Sequence, residues 1–195
     1  MAADLSFGIL RPEDWPAAMG LSARAFFDEP YVQEMFGADA LVRYAGIHAR
    51  CASATPQPED VLVASYAGTT LVGVVKCSPP GACHMCGHGG IGERPSDATE
   101  GLDWEFEGNV RRAHAEQGDH AWVSRVAIEP ALHGLGIGRQ LMAAALDHLD
   151  AAGAPAVLLE CQDHRVRFYQ ACGFTDVGTF PDPVGPDAHL MRSER

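Results

Sequence analysis

One short stretch of the chain, PALHGLGIGRQLM at residues 130–142, combines residue types that could bind an anion. Gly134, Gly136 and Gly138 stand between a proline and a segment whose apolar residues have helical spacing. A strand, a glycine-rich loop and a helix N-terminus direct unpaired backbone N–H groups and the positive end of the helix dipole toward one point. The stretch therefore predicts a pyrophosphate site, although such glycines also serve a loop that only has to turn tightly.

Dinucleotides are one class of ligand that such a loop could bind. Glu160 ends the following predicted strand 22 residues beyond Gly138, about where a ribose-binding acid stands in dinucleotide-binding proteins. However, Arg139 occupies the place of the third glycine of that fingerprint, and only 57 residues follow Gly138, too few to complete a doubly wound sheet. A dinucleotide-binding protein is therefore the weaker alternative.

A second stretch, CSPPGACHMCGHGG, brings metal-ligating residue types together. Cys83 and Cys86 form a C-x-x-C pair, and with the nearby His88 they could hold zinc. The strong form of this pattern has a second ligand pair, which only His114 and His120 could supply here. We therefore expect no metal and interpret the stretch as a glycine-rich flap over a cleft, with a zinc-organised interaction domain as an alternative.

The elements that must position these stretches are predicted from the spacing of apolar residues. The order is β-α-α-β-β, then a strand, the glycine loop, a helix, a strand, a helix and a closing hairpin. In the second helical block, Leu41, Tyr44, Ala45 and His48 fall on one face, which predicts that this face is buried. Asp163 is placed to cap the last helix, HRVRFYQAC.

Length and composition limit the classes of protein to which the chain could belong. With 195 residues, 47% of them hydrophobic, the chain predicts one domain over 1–195, in which 78–120 is a Gly/Pro/Cys/His-containing insertion. The net charge of −12 argues against nucleic acid as a partner and suits a cationic one. Because no apolar run approaches the roughly 18 residues of a membrane span and no signal peptide is apparent, we predict a cytoplasmic protein with no membrane partner. A homodimer is left open.

Two motifs in this order of elements resemble the GNAT superfamily of acetyl-CoA-dependent N-acetyltransferases. The family's loop reads arginine or glutamine, any two residues, glycine, any residue, then glycine or alanine, and residues 133–138 here read HGLGIG. The second motif, RFYQACGF at residues 167–174, is similar to the family's signature of an aromatic residue and a tyrosine followed, after three residues, by glycine and phenylalanine. The resemblance implies an α/β fold with a mixed, mostly antiparallel central sheet, helices on both faces, and an insertion between strands 3 and 4.

The resemblance also implies acetyl-CoA as co-substrate. The strand before the loop would diverge from the strand PAVLLEC, so that its backbone pairs with pantetheine while the loop binds the pyrophosphate. The contact residues implied in this way are Val126, Ala127, Ile128, His133, Gly134, Leu135, Gly136, Ile137, Gly138, Arg139, Gln162 and Tyr169. His133 departs from the family's arginine or glutamine, which weakens the phosphate contact of its side chain if the imidazole is neutral.

The catalytic residues follow from the same resemblance and from the needs of the reaction. Tyr169 matches the tyrosine that relatives use as general acid to the leaving thiolate. An amine must attack as a neutral nucleophile, so a base must take its proton. Glu160 and Glu129, which end predicted strands at the cleft, are candidates for that base beside a chain of water molecules.

The segment AFFDEPYVQEMFG resembles one that forms part of the wall of the acceptor site in bacterial relatives, and it therefore predicts where the acceptor binds. Asp28, Glu29 and Tyr31 are therefore the candidate substrate-binding residues. The predicted function is transfer of acetyl from acetyl-CoA to a primary amine of a small, cationic acceptor. The alternative from another class is a non-catalytic acyl-CoA-binding or sensing module, which the departure at His133 would favour.

Overall fold

The computed structural model describes residues 4–53, 57–83, 85, 96 and 98–195. The strands are β1 (Leu5–Ile9), β2 (Val61–Ala67), β3 (Thr70–Ser78), β4 (Ala121–Ile128), β5 (Ala156–Cys161), β6 (Thr175–Phe180) and β7 (Ala188–Glu194). The helices are α1 (Trp15–Phe26), α2 (Pro30–Phe36), α3 (Ala40–Ser53), α4 (Ala98–Ala115), α5 (Ile137–Ala151) and α6 (Asp163–Gln170). The predicted order of strands is confirmed, but three helices instead of the predicted two separate β1 from β2, because α2 forms a short helix of its own. The insertion between β3 and β4 contains α4.

The strands form one seven-stranded sheet in the order β1-β2-β3-β4-β5-β7-β6. Every neighbouring pair is antiparallel except β4 and β5, which are parallel. This mixed, mostly antiparallel sheet is the one that the resemblance implies.

The parallel pair β4–β5 is short and leaves an opening in the sheet. Only Ala121 with Val157 and Trp122 with Leu158 are paired, although β4 continues to Ile128 and β5 to Cys161. On its other side β4 stays paired with β3 as far as Ile128. The backbone groups of β4 beyond Trp122 that face β5 are therefore available to a ligand that enters between the strands.

Helices cover both faces of the sheet. One face packs against α5, whose Leu141, Met142 and Leu149 are fully buried with Val157 and Leu159 of β5. On the opposite face α1, α2 and α3 pack over β2 and β3, while α4 packs over β5 and β7. Because successive side chains of a strand point to opposite faces, Leu158 packs with α4 between two neighbours that pack with α5. The insertion thus covers the part of that face that α1–α3 leave uncovered.

The buried face of α3 differs from the prediction. Ile47 and Cys51 are buried, whereas Leu41 is 81% exposed and Tyr44 is 52% exposed. Helices α1 and α2 contact α3, and Ile47 and Cys51 share a buried cluster with residues of α1 and α2, to which Leu41 does not belong. The spacing predicted the helix correctly and the orientation wrongly.

Gly73 of β3 lies where side chains of β2, β4 and α5 leave no room for a Cβ atom. A Cβ atom at Gly73 would lie 2.5 Å from Ser65 Oγ, 2.7 Å from Ile128 Cδ1 and 2.9 Å from Leu141 Cδ2. We expect Gly73→Ala to lower the free energy of unfolding by about 2 kcal/mol, as overpacking of a core does. Urea denaturation checks this, with Gly8→Ala in β1 as the control, because nothing lies within 4 Å of a Cβ there. Equal stability of the two variants would contradict the prediction.

Candidate active site

A cavity of about 760 Å³ opens where β4 and β5 diverge. Its walls come from the end of α1, from α3 and α4, from the glycine loop with the start of α5, and from α6. Predicted site residues that line it are Glu29, Tyr31, Val126, Ile128, His133, Gly134, Gly136, Ile137, Gly138, Arg139, Glu160, Gln162 and Tyr169. Most of the predicted site is therefore brought together around one space.

The glycine loop has the backbone conformation that the anion-site prediction requires. Gly134 and Gly136 have φ angles of +81° and +78°, a region that residues with a side chain rarely adopt. Gly136 precedes α5, and no side chain caps that helix. The first hydrogen bond of the helix runs from the Gln140 N–H to the Gly136 carbonyl oxygen, at 3.3 Å. The N–H groups of Ile137, Gly138 and Arg139 come before that bond in the chain and have no carbonyl partner within the helix. The end of α5 thus presents donors to the cavity.

The third glycine of the loop has a packing role. A Cβ at Gly138 would lie 3.3 Å from the Phe168 ring, so α5 and α6 approach closely at this point. Tyr169 is the next residue along α6 and also lines the cavity. The contact therefore fixes the distance between the anion-binding loop and the candidate acid.

The remaining predicted cofactor residues differ in position. Ala127 is buried toward α1–α3, and Leu135 is 66% exposed at the tip of the loop. His133 Nε2 lies 3.2 Å from the carbonyl oxygen of Ile128 and, as a donor, pairs with it. The imidazole thereby pairs with one of the β4 carbonyl groups instead of extending away from the loop.

Tyr169 lies in an apolar surrounding at the cavity. Its ring makes edge contacts with Phe168 and Phe174, at centroid distances of 5.0 and 6.1 Å. Burial raises the pKa of Tyr169 above its ordinary value, because desolvation disfavours the phenolate. Within residues 4–53, 57–83 and 98–195 no group forms a hydrogen bond with its hydroxyl, which is therefore available to a ligand in the cavity that Tyr169 lines.

The two candidate bases lie in different surroundings. Glu160 lines the cavity, where Trp122 Nε1 donates to its carboxylate at 3.0 and 3.2 Å and His114 Nε2 lies 2.5 Å from Oε1. Glu129 follows β4 and pairs with Arg24 of α1, Nη2 to Oε2 2.8 Å. Glu129 is not among the described residues that line the cavity.

The acceptor wall is partly as predicted. Glu29 is 9% exposed and pairs with His164 Nε2 at 3.1 Å and with Arg165. Burial raises the pKa of Tyr31, which lines the same part of the cavity. Asp28 instead points to solvent, where Arg43 lies 3.9 Å away, and it does not contribute to the lining that the structure describes.

Sequence analysis missed several charged residues of the cavity. Arg125 of β4, Arg165 of α6 and Asp182 of the β6–β7 connection all line it, and Gln162 Nε2 donates to Asp182 Oδ2 at 2.6 Å. Asp163, predicted as a helix cap, is the first residue of α6 and pairs with His189 Nε2 at 2.5 Å, while Gln162 precedes the helix. No spacing rule places residues of a closing hairpin beside α6, so the sequence offered no signal for these pairs.

The loop, the open sheet and the cavity together define a class of protein that binds a long ligand by its anionic end, between two strands. The sequence matches the model of the acetyltransferase (GNAT) family over residues 23–174. The chain therefore belongs to the GNAT acetyltransferase family.

Two curated relatives match part of the chain. An IAA acetyltransferase of Azospirillum brasilense is 39% identical over 82 residues, which cover 40% of this chain and 53% of the relative. An uncharacterized protein of Mycobacterium leprae is 32% identical over 110 residues, 53% of this chain. The chain thus spans 53% and 28% of the lengths of these two curated relatives.

Two solved structures share the fold over nearly the whole chain. The first is the histone acetyltransferase HPA2 and related acetyltransferase of Corynebacterium glutamicum, with a TM-score of 0.65, 18% identity, and coverage of 97% of this chain and 96% of that one. The second is the PaiA N-acetyltransferase of Thermoplasma acidophilum in complex with coenzyme A, with a TM-score of 0.59, 11% identity, and coverage of 98% and 99%. No helix of the described residues is long and apolar enough to cross a membrane.

Proposed function

We propose that this protein transfers an acetyl group from acetyl-CoA to a primary amine of a small, cationic acceptor. The observation that carries this proposal is the loop with Gly134 and Gly136 at positive φ, placed at the mouth of the opening between β4 and β5. The coenzyme A in the PaiA structure, which shares this fold, supports the choice of ligand. The N–H groups that begin α5 would hold the pyrophosphate, and the backbone of Val126 and Ile128 would pair with pantetheine.

The chemistry would run without a covalent enzyme intermediate. The neutral amine attacks the thioester carbonyl carbon, a carbon–nitrogen bond forms, and the carbon–sulfur bond breaks. Tyr169 donates its phenolic proton to the departing sulfur, because its hydroxyl is protonated and faces the cavity. Glu160 takes the proton of the amine directly or through water. Glu129 is the weaker candidate for the base, because it pairs with Arg24 and is not among the described residues that line the cavity.

The acidic lining of the acceptor side supports a cationic amine. Glu29 and Asp182 line the cavity, and because Glu29 already pairs with Arg165, Asp182 is the carboxylate that a protonated amine can approach before it loses its proton. Small size follows from the volume, since about 760 Å³ must also hold the acyl-bearing end of the cofactor.

Arg125 favours a second kind of acceptor, an amine that also carries a carboxylate. Among the described residues, the guanidinium of Arg125 donates one hydrogen bond, from Nη1 to the Met19 sulfur at 3.3 Å. A thioether is a weak acceptor, so the side chain keeps most of its capacity for a bidentate carboxylate. An amino-acid derivative would fit this arrangement, and a matched pair of amines with and without a carboxylate would separate the two acceptor classes.

A thermal-shift titration tests the proposal. We expect acetyl-CoA at about 100 times its dissociation constant to raise the melting temperature by about 5–10 °C, because the ligand binds only the native state. NAD should leave it unchanged, and a shift with NAD alone would return the loop to the dinucleotide alternative. Acetyl-CoA binding with no transfer to any amine of the panel would favour the non-catalytic sensing module.

A further inference from the structure

Three metal-ligating side chains converge at the base of the insertion, outside the cavity lining. Cys83 follows β3, His114 lies in the last turn of α4, and His120 directly precedes β4. All three are buried, and their ligand atoms lie within 4.8 Å of one another. Cys86 and His88, the other ligands considered from the sequence, lie outside the described residues.

The hydrogen bonds around the two histidines are consistent with tautomers that leave a lone pair on one ring nitrogen of each. His120 Nδ1 lies 2.7 Å from the Gly118 carbonyl oxygen, which can only accept, so this nitrogen is the donor and Nε2 has the lone pair. His114 Nε2 lies 2.5 Å from Glu160, whose carboxylate also accepts from Trp122 Nε1. With Nε2 donating to the carboxylate, His114 Nδ1 has the lone pair of the neutral ring. The two lone pairs are directed toward the same region as the Cys83 sulfur.

Two distances among these atoms are close to those around a tetrahedral zinc ion, and the third, between Cys83 Sγ and the His120 ligand nitrogen, is within 4.8 Å. Zinc binds thiolate sulfur at about 2.3 Å and imidazole nitrogen at about 2.0 Å, so tetrahedral ligands lie about 3.5 Å (S to N) and about 3.3 Å (N to N) apart. Here Cys83 Sγ lies 3.6 Å from His114 Nδ1, and His120 Nε2 lies 3.1 Å from the same atom. One ion could therefore contact all three side chains with small adjustments.

We propose that Cys83, His114 and His120 bind a divalent transition metal of the zinc class. One sulfur and two imidazole nitrogens are the donors that such ions prefer over calcium or magnesium. Binding releases the Cys83 thiol proton, and the fourth coordination position is taken by water or another donor. Glu160, bonded to the far nitrogen of His114, orients that ring as carboxylates do for metal-bound histidines.

The proposed metal would join the insertion to the sheet. Cys83 lies near the start of the segment between β3 and β4, and His114 and His120 lie near its end. One ion would therefore join the two ends of that segment. Since α4 and Glu160 both line the cavity, the ion would also fix one wall of it. The competing arrangement is a chain of hydrogen bonds in which Glu160 is protonated and His114 Nδ1 donates to His120.

Metal analysis of the full-length protein tests the proposal on wild type first. We expect about one equivalent of zinc per chain after reconstitution and gel filtration, in line with a buried three-ligand site. Cobalt substitution should give a thiolate-to-cobalt charge-transfer band, which reports a cysteine ligand directly. Less than about a tenth of an equivalent, with no such band, would overturn the proposal and leave the hydrogen-bonded chain.

Variants identify the ligands. Cys83→Ser and His120→Asn should each abolish the cobalt band and lower metal retention at least tenfold, whereas Cys172→Ser and His148→Asn should keep both. Circular dichroism establishes whether each variant is folded, and the metal content and cobalt band of the wild-type protein still test the proposal if one is not. Full retention of metal by Cys83→Ser would overturn the assignment. Acetyl-CoA binding measured on the same samples is independent of this outcome, so failure of the metal site and failure of the proposed transferase are distinguishable.

Discussion

Replacing Tyr169 by phenylalanine is expected to lower kcat about 100-fold or more, within the range that a general acid contributes, and to leave the dissociation constant for acetyl-CoA within about twofold. The ring stays between Phe168 and Phe174, so the packing is preserved and only the proton donor is lost. Because burial raises the pKa of the phenol, the wild-type residue keeps its proton at a pH where an exposed tyrosine would ionise. Steady-state kinetics with acetyl-CoA binding by calorimetry measures both quantities.

Tyr44→Phe is the matched control for this change. Tyr44 is 52% exposed on α3 and contacts Phe27 and His48 away from the cavity, so its loss of a hydroxyl should leave kcat unchanged. A Tyr169→Phe enzyme with wild-type kcat would refute the role of that hydroxyl. The departing sulfur would then take its proton from water.

Gly136→Val is expected to raise the dissociation constant for acetyl-CoA about 100-fold and to abolish the thermal shift. A β-branched residue at a φ of +78° is strained, and relief of that strain turns the first N–H groups of α5 away from the cavity. The loss follows because those donors and the helix dipole act on the same anion. Calorimetry or a fluorescence competition assay gives the dissociation constant.

Gly153→Val separates the loss of binding from the loss of stability. Gly153 has the same φ of +78° but follows the opposite end of α5, so both variants carry a similar backbone strain. We expect both to melt at lower temperatures and only Gly136→Val to lose acetyl-CoA. If both variants bind equally, the loop does not hold the pyrophosphate.

The order of elements was predictable because it depends on local patterns. The apolar spacing of α5, the β-branched runs of β2 and β3 and the glycines of the loop each act over a few residues, and each is confirmed. The orientation of α3 was not predictable in this way. Which of its faces is buried depends on where α1 and α2 lie, and the apolar Leu41 and Tyr44 on its exposed side gave a misleading pattern.

The candidate site was predictable where one continuous motif supplies it. Residues 133–139 and Tyr169 lie in two short motifs, so their neighbourhood could be predicted. Contacts between distant segments could not. The prediction of no metal named His114 and His120 as the possible second ligand pair and discounted them for their spacing, whereas α4 brings His114 back to Cys83 across 31 residues and places it against Glu160. Arg165 against Glu29, 136 residues apart, is another pair of this kind.

Because only two residue pairs join β4 to β5, the sheet consists of two groups of strands with few hydrogen bonds between them. Strands β1–β4 and strands β5–β7 are each continuously hydrogen-bonded, but the rungs between the two groups stop after Trp122 and Leu158. The opening between the two groups coincides with the cavity, and α5 packs against strands of both groups, so they share one core. A ligand in the opening would add hydrogen bonds between β4 and β5, and we expect local separation of these strands to become rarer when it is bound.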